Sequence, residues 1–192
     1  MKLIFDFDDV IFFNTLKIKE GMYSCLEKVG VPRSITEEYY KETREKQFSL
    51  KNYLKELIVC QKIEGVSSED VYEDIMKDCA NFTNKEILEI VKNAGKESCY
   101  IITNGDEEFQ FDKIKRAGVV DLFCEVIIVS GSKKEAIERI CREFNDEKII
   151  FIDDRSKFID DLDLESLKNL KTVLFDENGL KKLEDEIKKD IK

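Results

Sequence analysis

Short, nearly unbroken apolar runs punctuate the chain at Leu3 to Asp6, Cys99 to Ile102, Val126 to Val129, Ile149 to Ile152 and Thr172 to Phe175. Each is compatible with a strand buried on both faces of a parallel sheet. Amphipathic helical stretches separate the last four. Residues 133–144 show the pattern best, since Ala136, Ile137, Ile140, Cys141 and Phe144 fall on one helical face. Alternation of strand and helix predicts an α/β fold, a doubly wound and mainly parallel Rossmann-like sheet.

The gap between the first two runs, Asn14 to Gly95, carries helical periodicity instead. Leu50, Tyr53, Leu54, Leu57 and Ile58 form one stripe, and Val71, Tyr72, Ile75, Met76 and Cys79 form another. Capping-box patterns at Ser34/Glu37 and Thr83/Glu86, with a looser one at Ser67/Asp70, mark expected helix starts. The insert reads as a bundle of four or five helices without internal repeats, joined to the sheet by short connections. The expected division is a core of residues 1–14 and 96–192 with an α-helical cap of residues 15–95.

Composition narrows the function. A chain of 192 residues holds one α/β domain and a modest insertion. Apolar residues make up 42% and charged residues 39%, with one proline and eight glycines, which suits a globular, helix-rich protein. The formal net charge of −10 opposes the non-specific attraction used by most binders of nucleic acid and anionic membranes, so neither partner is expected. The segment from Asn14 to Gly95 holds 13 basic and 15 acidic residues, leaving 19 and 27 elsewhere, so the acidity is concentrated outside the insert. There is no histidine, which excludes Ser-His-Asp and Cys-His machinery and leaves proton transfer to other groups. The six cysteines are scattered without a Cys-x-x-Cys pair, so they read as buried small hydrophobes in a reducing compartment. Asp6, Asp8 and Asp9 interrupt the N-terminal apolar stretch, which therefore does not resemble a signal peptide. No apolar run approaches the roughly 20 residues of a membrane-spanning helix. The expectation is a soluble cytoplasmic protein.

Four polar clusters close four of the apolar runs. The first run continues Asp6-Phe7-Asp8-Asp9, and a strand's period of two would put the Asp6 and Asp8 side chains on the same side. At the carboxyl end of a central parallel strand they would lie in the crevice where open α/β sheets bind ligands. The second run ends Thr103-Asn104-Gly105, a hydroxyl followed by backbone N–H groups that can approach an anion because Gly105 has no Cβ. After the third come Ser132-Lys133-Lys134-Glu135, where a Ser132/Glu135 capping box would place Lys133 in the first helical turn, a position that favours a nearby anion. Lys133 shares the helical face of Ala136, Ile137 and Ile140, which favours it over Lys134. The fourth run ends Asp153-Asp154, and carboxylates crowded in this way suit a hard divalent cation.

In order and context these clusters resemble the four motifs of the haloacid dehalogenase superfamily, over Met1 to Asn14 and about Lys96 to Phe175. The resemblance implies a Mg²⁺-dependent phosphohydrolase acting on a small phosphorylated metabolite. It makes Asp6 the nucleophile that becomes phosphorylated and Asp8 the acid/base. Thr103 and the backbone of Asn104 and Gly105 would bind phosphoryl oxygens, and Lys133 would offset negative charge. Asp6, Asp153 and Asp154, with the main-chain carbonyl of Asp8, would hold Mg²⁺. Asp9 stands where capped relatives often have glycine, and Phe158 where some have an acid or asparagine. Strand alternation would turn Asp9 away from Asp6 and Asp8, towards solvent or a local hydrogen bond, while Asp160 and Asp161 read as an exposed helical face. Phosphomutases and dehalogenases share this fold and cap position, and a non-catalytic binding protein is a further alternative. Asp8 favours phosphoryl chemistry over dehalogenation, and the lack of a cap histidine favours hydrolase over mutase. In the insert, Lys17, Lys19, Arg33, Arg44 and Lys46 are candidates for a second anionic group of the substrate.

Overall fold

A computed structural model describes residues 1–13, 15–43 and 48–189. Five strands form one sheet: β1 (Lys2–Phe5), β2 (Cys99–Asn104), β3 (Glu125–Val129), β4 (Ile149–Asp153) and β5 (Leu170–Leu174). Their order is β3-β2-β1-β4-β5, and every pairing is parallel, where the sequence predicted a mainly parallel sheet. All five apolar runs are strands, with ends displaced by one or two residues. The chain builds outward from β1 to one edge and then crosses to β4 on its other side. The carboxyl ends of β1 and β4 therefore flank the point where the winding reverses, which is where such sheets form a ligand crevice.

The two faces of the sheet separate by the strand period of two. Leu3, Phe5, Ile101, Ile150 and Ile152 join one cluster, and Ile4, Tyr100, Ile102 and Phe151 the other. The first cluster continues through Phe7, Phe12 and Met22 into the helical insert, so insert and sheet share one apolar interior. The insert comprises α1 (Thr15–Lys28), α2 (Arg33–Thr43), α3 (Leu50–Cys60), α4 (Ser68–Met76) and α5 (Lys85–Ala94). Both predicted stripes, on α3 and on α4 with Cys79, are buried. The sheet carries α6 (Glu107–Arg116), α7 (Lys134–Glu143), α8 (Ser156–Asp160) and α9 (Gly179–Lys188). Among the described residues no helix is long and apolar enough to cross a membrane.

Helix starts match the predicted caps less well than the stripes match. Ser67 caps α4, its hydroxyl accepting from the Asp70 N–H at 3.3 Å. For α5 the cap is Asn84 rather than Thr83, since the Asn84 carboxamide accepts from the Ile87 N–H, and asparagine is at least as good a cap as threonine. Ser34 lies inside α2, which starts one residue earlier because Pro32 opens the turn and its carbonyl accepts from Ile35 and Thr36. In α7 the cap position falls to Lys133, and the Ser132 hydroxyl accepts from Lys134 at 3.1 Å instead of closing a box with Glu135. Three cysteines are buried, but Cys60 and Cys124 are exposed, one at the end of α3 and one in the loop before an edge strand.

Candidate active site

β1 stops at Phe5, and Asp6 follows at once, its N–H donating to the Ile152 carbonyl at 2.8 Å. That bond seats Asp6 beside the end of β4. The chain then folds into a tight loop, with the Ile11 and Phe12 N–H groups both donating to the Phe7 carbonyl and the Asp9 N–H to Phe12. Buried Phe7, Val10, Ile11 and Phe12 anchor the loop. Asp6 and Asp8 are therefore not aligned by a strand's pleat, as the sequence suggested. The strand ends too early, and the two carboxylates meet different lysines. Asp9 has φ of 56°, the left-handed region that favours glycine. Its carboxylate accepts from the Thr15 N–H at 3.0 Å and the Thr15 hydroxyl at 2.8 Å, tying the loop to the start of α1.

Lys133 is 1% exposed, and its ammonium donates to Asp6 Oδ1 and Asp153 Oδ2, each at 2.6 Å. Lys134 is half-exposed, so the inward-facing lysine is the one the helical face favoured. The ring of Phe158 lies 4.4 Å from the Lys133 ammonium, close enough for a cation–π contact. Asp153 is fully buried, and its second oxygen accepts from the Arg155 N–H at 2.8 Å. Asp6, Asp153 and Asp154 each offer a carboxylate oxygen within 4.8 Å of the others.

Lys133 thus bonds two of these three carboxylates, Asp6 and Asp153, and Arg155 Nε lies 4.0 Å from the third, Asp154. Burial pushes Asp6 up to about 7 against the pull of the Lys133 charge, and Asp153 and Asp8 add repulsion. Burial likewise raises Asp154, helped by Asp153 and Asp9. A cluster of hard oxygen donors with surplus negative charge fits a divalent cation such as Mg²⁺. Asp160 and Asp161 stand outside this group and are exposed, and Asp161 accepts from the Ser132 hydroxyl.

The Asp8 carboxylate is near enough to repel Asp6 but has donors of its own. Lys113, on α6 and 4% exposed, donates to both its oxygens, at 2.6 and 2.8 Å. Gln110 Nε2 donates to Oδ2 at 2.8 Å. Burial works to raise Asp8, but the Lys113 charge and these hydrogen bonds together hold it below the ordinary carboxylate range. Sequence reasoning missed both residues. Periodicity reads polar Gln110 and Lys113 as solvent-facing, whereas the fold buries both beside Ile114.

Thr103 is buried at the end of β2, near the crevice. Asn104 spends its carboxamide N–H groups on the Val129 and Gly131 carbonyls, at 3.2 and 2.7 Å, joining the ends of β2 and β3. The Gly105 N–H donates to Val129 O at 2.9 Å because the parallel ladder runs one residue past β2. That N–H is committed, contrary to its expected role towards an anion. A Cβ on Gly105 would lie 2.7 Å from Gln110 Nε2, so this glycine makes room for the amide that reaches Asp8.

No protein-family model and no curated protein matches the sequence, but solved structures do. A haloacid dehalogenase-like hydrolase from Burkholderia xenovorans LB400 superposes with a TM-score of 0.65 at 16% identity, covering 93% of this chain and 86% of that one. A protein described as a beta-phosphoglucomutase from Thermotoga maritima gives 0.57 at 16% identity, over 92% and 87%. A HAD-hydrolase from Bacillus subtilis, bound to magnesium, gives 0.51 at 15% identity, over 89% and 84%. The chain has the haloacid dehalogenase-like hydrolase fold, with a helical insertion after β1.

In this haloacid dehalogenase-like fold the insert covers the crevice. A cavity of about 650 Å³ runs from Asp8, Gln110 and Lys113 on the sheet side to Lys19, Tyr40 and Phe48 on the insert, with Arg155 and Lys157 at its edge. Of the cations expected to meet a second anion, Lys19 lines this cavity and Lys17 is exposed elsewhere. Arg33 is engaged with Glu20 at 2.5 Å and Glu37 at 2.9 Å, clasping α1 to α2. Arg44 and Lys46 lie outside the described residues. The insert is fastened to α6 by Lys51 with Glu108, by Tyr72 Oη donating to Asp112 at 2.7 Å, and by Arg116 forked onto Glu73.

Proposed function

We propose that this chain is a magnesium-dependent phosphohydrolase that acts on a small phosphorylated metabolite through an aspartyl-phosphate on Asp6. The observation that carries this reading is the triad of Asp6, Asp153 and Asp154 at the crevice of the sheet, with the Lys133 ammonium bonded to Asp6 and Asp153. The magnesium of the Bacillus subtilis relative supports it.

Lys133 holds Asp6 by one oxygen, leaving the other to attack phosphorus. The new bond joins that oxygen to phosphorus as the bond to the leaving oxygen breaks. Asp8 delivers a proton to the departing alkoxide and then, as a carboxylate, takes one from the water that hydrolyses the phosphoenzyme, freeing inorganic phosphate and Asp6. Its lowered proton affinity suits the second task. A phosphate dianion arriving beside it raises that affinity for the first. Thr103 and Lys133 stabilise the negative oxygens of the transferring group. Asp6, Asp153 and Asp154, with the main-chain carbonyl of Asp8, would hold Mg²⁺, which when bound supplies the positive charge this cluster lacks. The cavity beside Asp8 holds the leaving group, and the insert shields the reaction from bulk water.

A second reading, a phosphomutase, is favoured by the Thermotoga maritima similarity. Phosphate release from a panel of sugar phosphates, nucleotides and phosphoacids, with and without Mg²⁺, separates the readings. Release that stops in EDTA supports the hydrolase. Rearranged sugar phosphate without release supports the mutase, and inertness towards the whole panel supports a binding role.

A further inference from the structure

We propose that Lys113, assisted by Gln110, is a positioning residue for Asp8. It fixes the carboxylate in one orientation and acts on the reaction through that carboxylate alone. The proposal rests on the reading of Asp8 as acid and base given above.

A lysine side chain ordinarily carries its ammonium to water along a flexible stem. Lys113 turns inward from α6 and is 4% exposed, a placement that demands a strong partner in compensation. That partner is Asp8, bridged through both oxygens at 2.6 and 2.8 Å. The rings of Phe109, Phe7 and Phe12 surround the ammonium at 4.9, 5.7 and 5.7 Å from their centroids, which fits a cation held in place rather than mobile.

Charge neutralisation alone does not explain the arrangement. Gln110 adds no charge, yet its Nε2 donates to Asp8 Oδ2 at 2.8 Å and to the Asn104 carbonyl at 3.1 Å. Those two acceptors fix the amide and leave its Oε1 buried without a partner among the described residues, an expense that native proteins seldom tolerate. Gly105 keeps clear the space the amide needs. Gln110 and Lys113 are three apart on one face of α6, and the Asp106 carboxylate caps that helix by accepting from the Phe109 N–H at 2.9 Å. The end of β2 and the clamp on Asp8 are therefore one rigid piece. Proton transfer needs its donor placed within hydrogen-bond reach, and a shift near 1 Å is expensive in rate.

The test separates attack from hydrolysis in single turnovers of the Mg²⁺-loaded protein with 4-nitrophenyl phosphate, whose leaving group needs little protonation. Lys113→Met is expected to form phosphoenzyme at nearly the wild-type rate and to hydrolyse it about 10- to 100-fold more slowly, part of what acid–base catalysis supplies. Lys113→Arg, which keeps a cationic donor, is expected to restore most of that loss. On an Asp8→Asn background Lys113→Met is expected to add nothing, since its effect runs through Asp8. Equal slowing of both steps, no slowing, or an additive effect on that background overturns the proposal. Should Lys113→Met fail to fold, Gln110→Leu removes only the uncharged bond and is expected to slow hydrolysis selectively by a few-fold, with equal slowing of both steps again overturning it. If Asp8→Asn itself hydrolyses phosphoenzyme normally, the reading of Asp8 fails. If only the Lys113 variants behave uniformly, that reading stands and the positioning role falls.

Discussion

Two buried lysines stand within one loop's reach of each other, and they do opposite things to their carboxylates. Lys133 is divided between Asp6 and Asp153 with Asp154 alongside, and Asp6 is pushed up to about 7. Lys113 is given wholly to Asp8, with Gln110 as a second donor, and Asp8 is held low. The ion-pair chemistry is the same, and the difference lies in the charge balance of each cluster. Three carboxylates against the Lys133 ammonium and the more distant, exposed Arg155 guanidinium leave a deficit that a divalent cation can fill. One against one leaves none. A salt bridge by itself therefore says little about proton affinity, and the sum of charges around it decides.

The sharpest way to break this comparison is Asp6→Asn. It keeps shape and volume, removes the attacking oxygen and relieves part of the charge deficit. Turnover should fall by about a thousandfold or more, measured as phosphate release, while the fold persists by circular dichroism. Asp8→Asn should be milder with an aryl phosphate, slowing phosphoenzyme hydrolysis by about 10²- to 10³-fold, so that phosphorylated protein accumulates and registers as a mass increase.

The charge deficit also sets a pH dependence. Asp6 has a folded-state proton affinity raised above its unfolded value, so its contribution to stability is present at low pH and is lost as pH rises towards about 7. Metal-free protein should therefore melt at lower temperature near pH 8 than near pH 5.5. Mg²⁺ should raise the melting temperature more at the higher pH, where it no longer competes with protons. Scanning calorimetry with Mg²⁺ and with EDTA at both pH values checks the sign. The smallest effect is expected from Gly105→Ala, whose methyl would crowd Gln110 and loosen one bond to Asp8. A loss of about tenfold or less is expected, concentrated in phosphoenzyme hydrolysis and absent from the Mg²⁺ response.

Much of the charge-poor cluster was legible in the sequence. Asp6, Asp153 and Asp154 end or follow apolar runs, and a buried parallel strand is an easy pattern to read because both its faces are apolar. Lys133 could be chosen over Lys134 from helical phase alone. The insert was legible for the same reason, through stripes on α3 and α4. The Lys113 cluster was not, since periodicity reads a lysine on a helix as solvent-facing and cannot show that a loop 105 residues earlier supplies its carboxylate. Asp6 and Asp8 were expected to converge by strand alternation, but alternation ends with β1 at Phe5 and the loop beyond it decides their directions. Thr83, Ser34 and Ser132 each carry a capping pattern, yet Asn84, Pro32 and the inward pull on Lys133 shift the helix starts, because neighbouring candidates compete for one position.

The most direct measurement is the location of the phosphoryl group. Wild-type and Asp8→Asn proteins are mixed with Mg²⁺ and 4-nitrophenyl phosphate, quenched in acid within the first turnovers, digested and analysed by mass spectrometry. The account predicts a phosphoryl adduct on Asp6, persistent in Asp8→Asn, absent when EDTA replaces Mg²⁺, and absent from Asp6→Asn. Phosphate release by the wild type with no adduct on Asp6 in either protein, or an adduct on another residue, would contradict it.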